Sequence, residues 1–145
     1  MVIDHIGIAV PALIEGIRQW THIFGYRQMT DIVTNTRQKV RVVFMQKENS
    51  VTVKLMEPTD ATSPVYILAA KGGGFHHLCF KCDDVVAETS RLESLVMRVL
   101  ELPEPGEAFE NNRISFVYGH DLGLSIELID TDLKARRLDM PNGSF

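Results

Sequence analysis

The sequence predicts an α+β fold built from two repeated modules, each a strand, a helix and about three strands. Three observations predict it. "VTVKLME" (51–57) and "LSIELID" (124–130) align without a gap, pairing Val51 with Leu124, Val53 with Ile126, Leu55 with Leu128 and Glu57 with Asp130. "HIGIAV" (5–10) has a relative in "HLCFKC" (77–82). His5 and His77 stand 72 residues apart and Lys54 and Glu127 73 apart, so both ends of a module repeat at nearly one spacing.

The elements between them repeat in order. "PALIEGIRQWTHIFG" (11–25) sets Leu13, Ile17, Trp20 and Phe24 on one helical face, with Pro11 near its start and Gly25 at its end. "DDVVAETSRLESL" (83–95) does the same with Val85, Thr89, Leu92 and Leu95 behind an Asp N-cap. Strand-like runs follow each helix, "KVRVVFM" (39–45) in the first copy and "RISFVY" (113–118) in the second. Each copy reads strand, helix, then about three strands. The expected division is a single domain over 1–130, with modules at about 1–58 and 73–130. Ser63 as N-cap and Pro64 as first helical residue predict a connecting helix over about 63–71. Gly72–Gly74 read as a hinge, because no phosphate-loop pattern follows them. "TDLKARRLDMPNGSF" (131–145) loses periodicity and reads as a peripheral C-terminal tail.

Composition sets the broad class. Of 145 residues, 45% are hydrophobic and 23% charged, a globular balance with enough chain for a real core. A net charge of −4 without a basic cluster argues against nucleic acid as the main partner. No run reaches the ~20 apolar residues of a membrane span, and the opening "MVIDHIGIAV", without a basic n-region or long apolar stretch, does not read as a signal peptide. Two cysteines build no disulfide framework, so the expected location is cytoplasmic.

Alternation along the strands picks out the interesting face. His5 shares a face with Gly7 and Ala9, while Ile6, Ile8 and Val10 face the helix. His77 falls with Cys79 and Lys81, Lys54 with Thr52 and Met56, and Glu127 with Ser125 and Ile129. If the modules curl around one hollow, His5, His77 and Glu127 converge. Two imidazoles and a carboxylate suit Zn, Fe(II), Mn, Co or Ni, and the trio is similar to the facial triad of Fe(II) oxygenases. A histidine on a strand is, taken alone, more often structural. "CFKC" is a weak metal or redox signal, because positions three apart on a strand point to opposite faces. His22 reads as a surface side chain and His120 as a loop residue. Arg37, Lys39 and Arg41 read as solvated, with a phosphate-gripping role open.

These residues resemble the vicinal oxygen chelate superfamily, which includes glyoxalase I, methylmalonyl-CoA epimerase and extradiol dioxygenases. The resemblance is closest to methylmalonyl-CoA epimerase-like proteins. It is carried by "IDHIGIAVP" (3–11), "LMEPTDATSP" (55–64), "GGGFHHLCFKCDDV" (72–85), "NRISFVY" (112–118) and "GLSIEL" (123–128). It implies two βαβββ modules forming one curved mixed sheet that cups a single site, in which His5, His77 and Glu127 hold one divalent ion, Zn, Co, Ni, Mn or Fe. It implies a cytoplasmic homodimer acting on a small carbonyl compound or acyl-CoA, as an isomerase or lyase that handles an enolate. His76, beside the ligand position, is expected on the opposite face.

Two departures qualify the expectation. Lys54 stands where the epimerases place a fourth ligand, and Val42 where they place a basic glutamate; no second carboxylate for two-base epimerisation is visible. Three roles for Lys54 follow. Its ammonium replaces the metal against Glu127; or it titrates beside a metal and is a neutral catalytic base; or it snorkels to the cavity mouth toward an anionic group. The expected catalytic base is Glu127 or Lys54, depending on whether metal is present. An Fe(II)-dependent dioxygenase and a metal-free small-molecule binding protein are the alternative functions.

Overall fold

The computed structural model describes residues 1–138. Its strands join one mixed nine-stranded sheet. The first half contributes β1 (Val2–Ala9), β2 (Arg27–Gln28), β3 (Val33–Asn35), β4 (Val40–Gln46) and β5 (Thr52–Pro58). The second contributes β6 (Gly74–Lys81), β7 (Arg98–Gly106), β8 (Asn112–Gly119) and β9 (Leu124–Ile129). The order β2-β4-β5-β1-β6-β9-β8-β7 sets the halves back to back across an antiparallel β1/β6 seam, with β3 also paired to β4. On each side of the seam the next strand, β5 or β9, runs parallel to its neighbour.

Helix α1 (Leu13–Phe24) covers the outside of the first half and α3 (Val85–Ser94) the outside of the second. Leu13, Ile17 and Trp20 pack on Val43, Met45, Val53 and Leu55. Val85 and Leu92 pack on Val117, Ile126 and Leu128. The matched pair Glu57 and Asp130 has one task in both halves. Leu13 N–H donates to Glu57 (3.2 Å) and Val85 N–H to Asp130 (3.0 Å), so each half's last strand satisfies an orphan amide at its own helix start. Gly25 ends α1 in the left-handed conformation, and Asp84 caps α3 by accepting from Ala87 N–H.

The other face of the sheet is concave and carries a third core of Val40, Val42, Phe44, Met56, Phe109, Ile114 and Ile129. Three expectations change here. The connecting helix is shorter: α2 spans Tyr66–Ala70, and Ser63 Oγ accepts from Val65 N–H within the preceding turn. Gly72–Gly74 form a packed turn, not a hinge. All three have positive φ, and a Cβ on Gly73 would lie 2.4 Å from the Ala9 carbonyl oxygen. The segment after β9 is not peripheral. Ala135 N–H donates to Ala108 O, Leu138 N–H to Met29 O, and Lys134 is buried. Residues 139–145 of the expected tail lie outside the described residues. No helix among the described residues is long and apolar enough to cross a membrane.

The glycine turn separates two costs. Gly72→Ala meets open space and should lose about 1–2 kcal/mol for its backbone conformation alone. Gly73→Ala adds a clash with backbone and should lose more. Urea unfolding of both variants checks this, and equal losses would contradict the packed turn.

Candidate active site

Two rows of directly opposed residues cross the concave face. One runs Phe44, Lys54, Gly7, His77, Ser125, Tyr118 and the other Thr52, His5, Cys79, Glu127, Phe116, Glu101. Opposed residues in a sheet share a face. His5, Lys54, His77 and Glu127, two from each half, therefore meet at the seam, and all four are 0% exposed. Gly7 makes this possible: a Cβ there would lie 2.1 Å from Cε1 of His77, so the imidazole occupies the space a side chain would fill.

The polar atoms close on Glu127. His5 Nε2 lies 3.0 Å from its Oε1 and His77 Nε2 3.3 Å, and the two Nε2 atoms are 3.4 Å apart. The Lys54 ammonium is 3.4 Å from Oε1 and 3.3 Å from Oε2, with the Phe44 and Phe109 rings beside it. Lys54 thus points into the buried cluster and does not snorkel to the mouth. Burial would raise the Glu127 carboxyl, but the Lys54 ammonium and hydrogen bonds from His5 and His77 reverse this and hold it well below its usual range. Burial pushes His77 down to about 3, so it stays neutral.

Each histidine has a partner at Nδ1. Asp4 Oδ2 lies 2.7 Å from His5 Nδ1, and Lys134, from the C-terminal segment, holds Asp4 at 3.1 Å. His76 Nδ1 lies 2.8 Å from His77 Nδ1. Asp4 and His76 both sit at register shifts of the β1/β6 pairing, between Ile3 and His5 and between Gly7/His77 and Ile8/Phe75. A β-bulge abolishes alternation locally, which is why His76 turns to the concave side instead of the opposite face.

The donor set fits a metal ion at three positions. Coordination would need the proton off Nε2 of each histidine; Asp4 beside Nδ1 of His5 and His76 beside Nδ1 of His77 can each take a hydrogen bond from an Nδ1–H, so both rings have a partner for the tautomer that frees Nε2. The separations of 3.0, 3.3 and 3.4 Å match the roughly 3.0–3.5 Å edges of a sphere with ligand bonds of about 2.0–2.2 Å. Lys54 occupies the remaining approach to Glu127. Two cations that close repel by on the order of 4 kcal/mol per unit of charge at an effective dielectric of about 20.

A cavity of about 270 Å³ adjoins the cluster, lined by Val40, Met56, His76, Phe116, Ser125 and Glu101 among others. His76 and Phe116 touch both, since the Phe116 ring is 5.3 Å from that of His77. Val42 lies in the apolar core and supplies no carboxylate. Glu101 is the residue that sequence reading missed. It sits on β7, whose Pro103 and Pro105 hide the strand; the one available signal is a glutamate between two leucines just before "PEPG".

The other candidates are elsewhere. His22 and His120 are exposed, Cys79 is buried with its thiol pushed well up, and Cys82 donates to Ile129 O. Arg41 pairs with Glu57, Lys39 donates to Thr62 and Arg37 to Pro105 O.

Residues 4–118 match the profile of the Glyoxalase/Bleomycin resistance protein/Dioxygenase superfamily. The chain belongs to that superfamily. It is 30% identical over 130 residues to the Bacillus subtilis protein YqjC, covering 88% of this chain and 91% of that one. A single-residue variant of Streptomyces coelicolor methylmalonyl-CoA epimerase, solved with 2-nitronate-propionyl-CoA, superposes with a TM-score of 0.79 at 29% identity, covering 91% of this chain and 98% of that one. A methylmalonyl-CoA epimerase in complex with methylmalonyl-CoA and NH4+ gives 0.78 at 29%, covering 95% and 98%. Superfamily fold and epimerase kinship thus agree with the expectation from the sequence.

The geometry has two testable consequences. Gly7→Ala should drive the His77 ring out of the cluster, which a lost contact between the two histidine rings in NMR spectra would report. Between pH 6.5 and about 3 the unfolded chain holds a proton on His77 that the folded chain does not. Stability must therefore fall as pH drops through that window, by up to about 1.4 kcal/mol per pH unit. Below 4.5 the depressed Glu127 carboxyl adds a loss of the same sign. Urea melts near pH 7.5 and about pH 5.5 should show His77→Gln losing less than wild type; equal losses would refute a neutral His77.

Proposed function

We propose that this protein is a small-molecule enzyme of the methylmalonyl-CoA epimerase/glyoxalase type, moving a proton on the carbon beside a carbonyl of an acyl-CoA or similar compound. The observation that carries the reading is the convergence of His5, His77, Glu127 and Lys54 beside an apolar cavity. The relatives' ligands support it. Methylmalonyl-CoA is an acyl thioester, and a nitronate is a planar anion of the shape an enolate takes. In this chain the acyl end would enter the cavity, leaving the bulk of a CoA outside its mouth.

Such chemistry needs positive charge where the carbonyl oxygen becomes anionic. His5, His77 and Glu127 would hold a divalent metal, which when bound supplies a Lewis acid for that oxygen. Lys54 supports a second reading, in which its tethered ammonium itself is the positive charge. Its burial against Phe44 and Phe109 favours this, because a charge shielded from water acts more strongly on a neighbouring oxyanion. In both readings Glu127 compensates cations. A carboxyl held well below its ordinary range is a weak base, so Glu127 acts through charge.

Two measurements test this. Wild type given methylmalonyl-CoA of one configuration should yield the other, read by chiral separation; unchanged configuration would overturn the epimerase reading. Elemental analysis after exposure to Zn, Fe(II), Co, Mn and Ni, with Lys54→Gln in parallel, separates the two cations. About one metal per chain in wild type supports the three-residue metal site. Metal in Lys54→Gln alone supports the ammonium.

A further inference from the structure

We infer that Glu101 is the carboxylate that moves the substrate's α-proton, an inference that rests on the function proposed above. Among the described residues lining the cavity it is the only carboxylate. It shares a row with Glu127, so it faces the same concave surface, two strands away at about 10 Å between backbones. Phe116 stands between them in the row.

The local backbone is built to aim it. The β7/β8 register shifts on both sides of Glu101, between Val99 and Glu101 and between Glu101 and Glu104. Without these shifts Leu100 and Glu101 would face opposite ways; with them, both line the cavity. The carboxylate is then steadied from the other half of the molecule. Gln38 Nε2 donates to Glu101 Oε2 (3.3 Å), Asn35 Nδ2 donates to Gln38 Oε1 (3.2 Å), and Ala108 N–H donates to Asn35 Oδ1 (2.8 Å). Among the described residues, Oε1 of Glu101 has no hydrogen-bond partner and no cation pairs with this carboxylate. Burial together with the Glu104 charge pushes it upward, toward the strength of a useful base.

The step balances with groups in place. A Glu101 oxygen takes the α-hydrogen as a proton, and the C–H electron pair becomes the carbon–carbon π bond of an enolate. The carbonyl π pair moves onto oxygen, whose charge faces the buried cationic centre that lies behind His76 and Phe116. Return of a proton from Glu101 to the same face restores the starting thioester; inversion needs a proton delivered to the opposite face, so Glu101 accounts for α-proton exchange and for one of the two proton transfers of an epimerisation. Glu101 is only half-buried, so its proton exchanges with solvent before returning.

The test is deuterium uptake at the α-carbon of methylmalonyl-CoA in D2O, followed by mass spectrometry against a protein-free blank. Wild type should incorporate deuterium well above the blank. Glu101→Gln should slow uptake about 100-fold or more, while calorimetric binding of methylmalonyl-CoA stays within about twofold of wild type. Glu101→Asp, which keeps the carboxylate, should recover part of the rate. Uptake by Glu101→Gln at the wild-type rate would overturn the assignment and leave the epimerase reading standing. Loss of binding together with uptake in both variants would make Glu101 structural and overturn it as well. No uptake by wild type would overturn the epimerase reading, and the role of Glu101 with it.

Discussion

A carboxylate with no access to water sits at the middle of this sheet, and the rest of the arrangement answers it. An ionised group in an apolar interior is tolerated only when opposite charge and hydrogen bonds replace the lost solvent. Glu127 receives both from strands on either side of the seam: Lys54 and His5 from the first half, His77 from its own. Those side chains impose further conditions outward. His77 needs the missing side chain of Gly7, and His5 leans on Asp4, which in turn needs Lys134. The concave face is thus organised from one oxygen pair outward.

The repeat supplies the frame and then departs from itself where chemistry begins. Helix capping by Glu57 and Asp130 is duplicated, as are the ring positions of Phe44 and Phe116 and the bulges before each seam histidine. The residues placed by those bulges differ. Asp4 gives His5 an ionic anchor, while His76 links His77 to the cavity. Lys54 against Glu127 is the sharpest departure, since equal residues at those two positions would place like charges together.

Much of this is legible in the sequence, and the exceptions share a cause. Two aligned strands, two histidine-bearing segments and two apolar helix faces identify the modules, and alternation alone places His5, Gly7, Lys54, His77 and Glu127 on one side. Alternation fails where register shifts. His76, one residue from a correctly placed histidine, turns inward because of a bulge whose cause is the partner strand. Glu101 lies hidden in a proline-bearing edge strand with two such shifts. Lys134 escapes for another reason: a buried ammonium held by aromatic rings and one carboxylate leaves no periodic trace in its own segment. Pairing partners and tertiary charge, both non-local, are what the sequence pattern leaves out.

The split of the central ion pair between the halves also bears on how such a molecule can be taken apart. Either half alone would carry a charge meant for burial with its counter-charge on the other piece. Two copies of the first half would bring lysine to lysine at the seam, and two copies of the second would bring glutamate to glutamate. Identical halves would pair like charges where this fold pairs opposite ones. The two modules are complementary at this point, the lysine of one meeting the glutamate of the other.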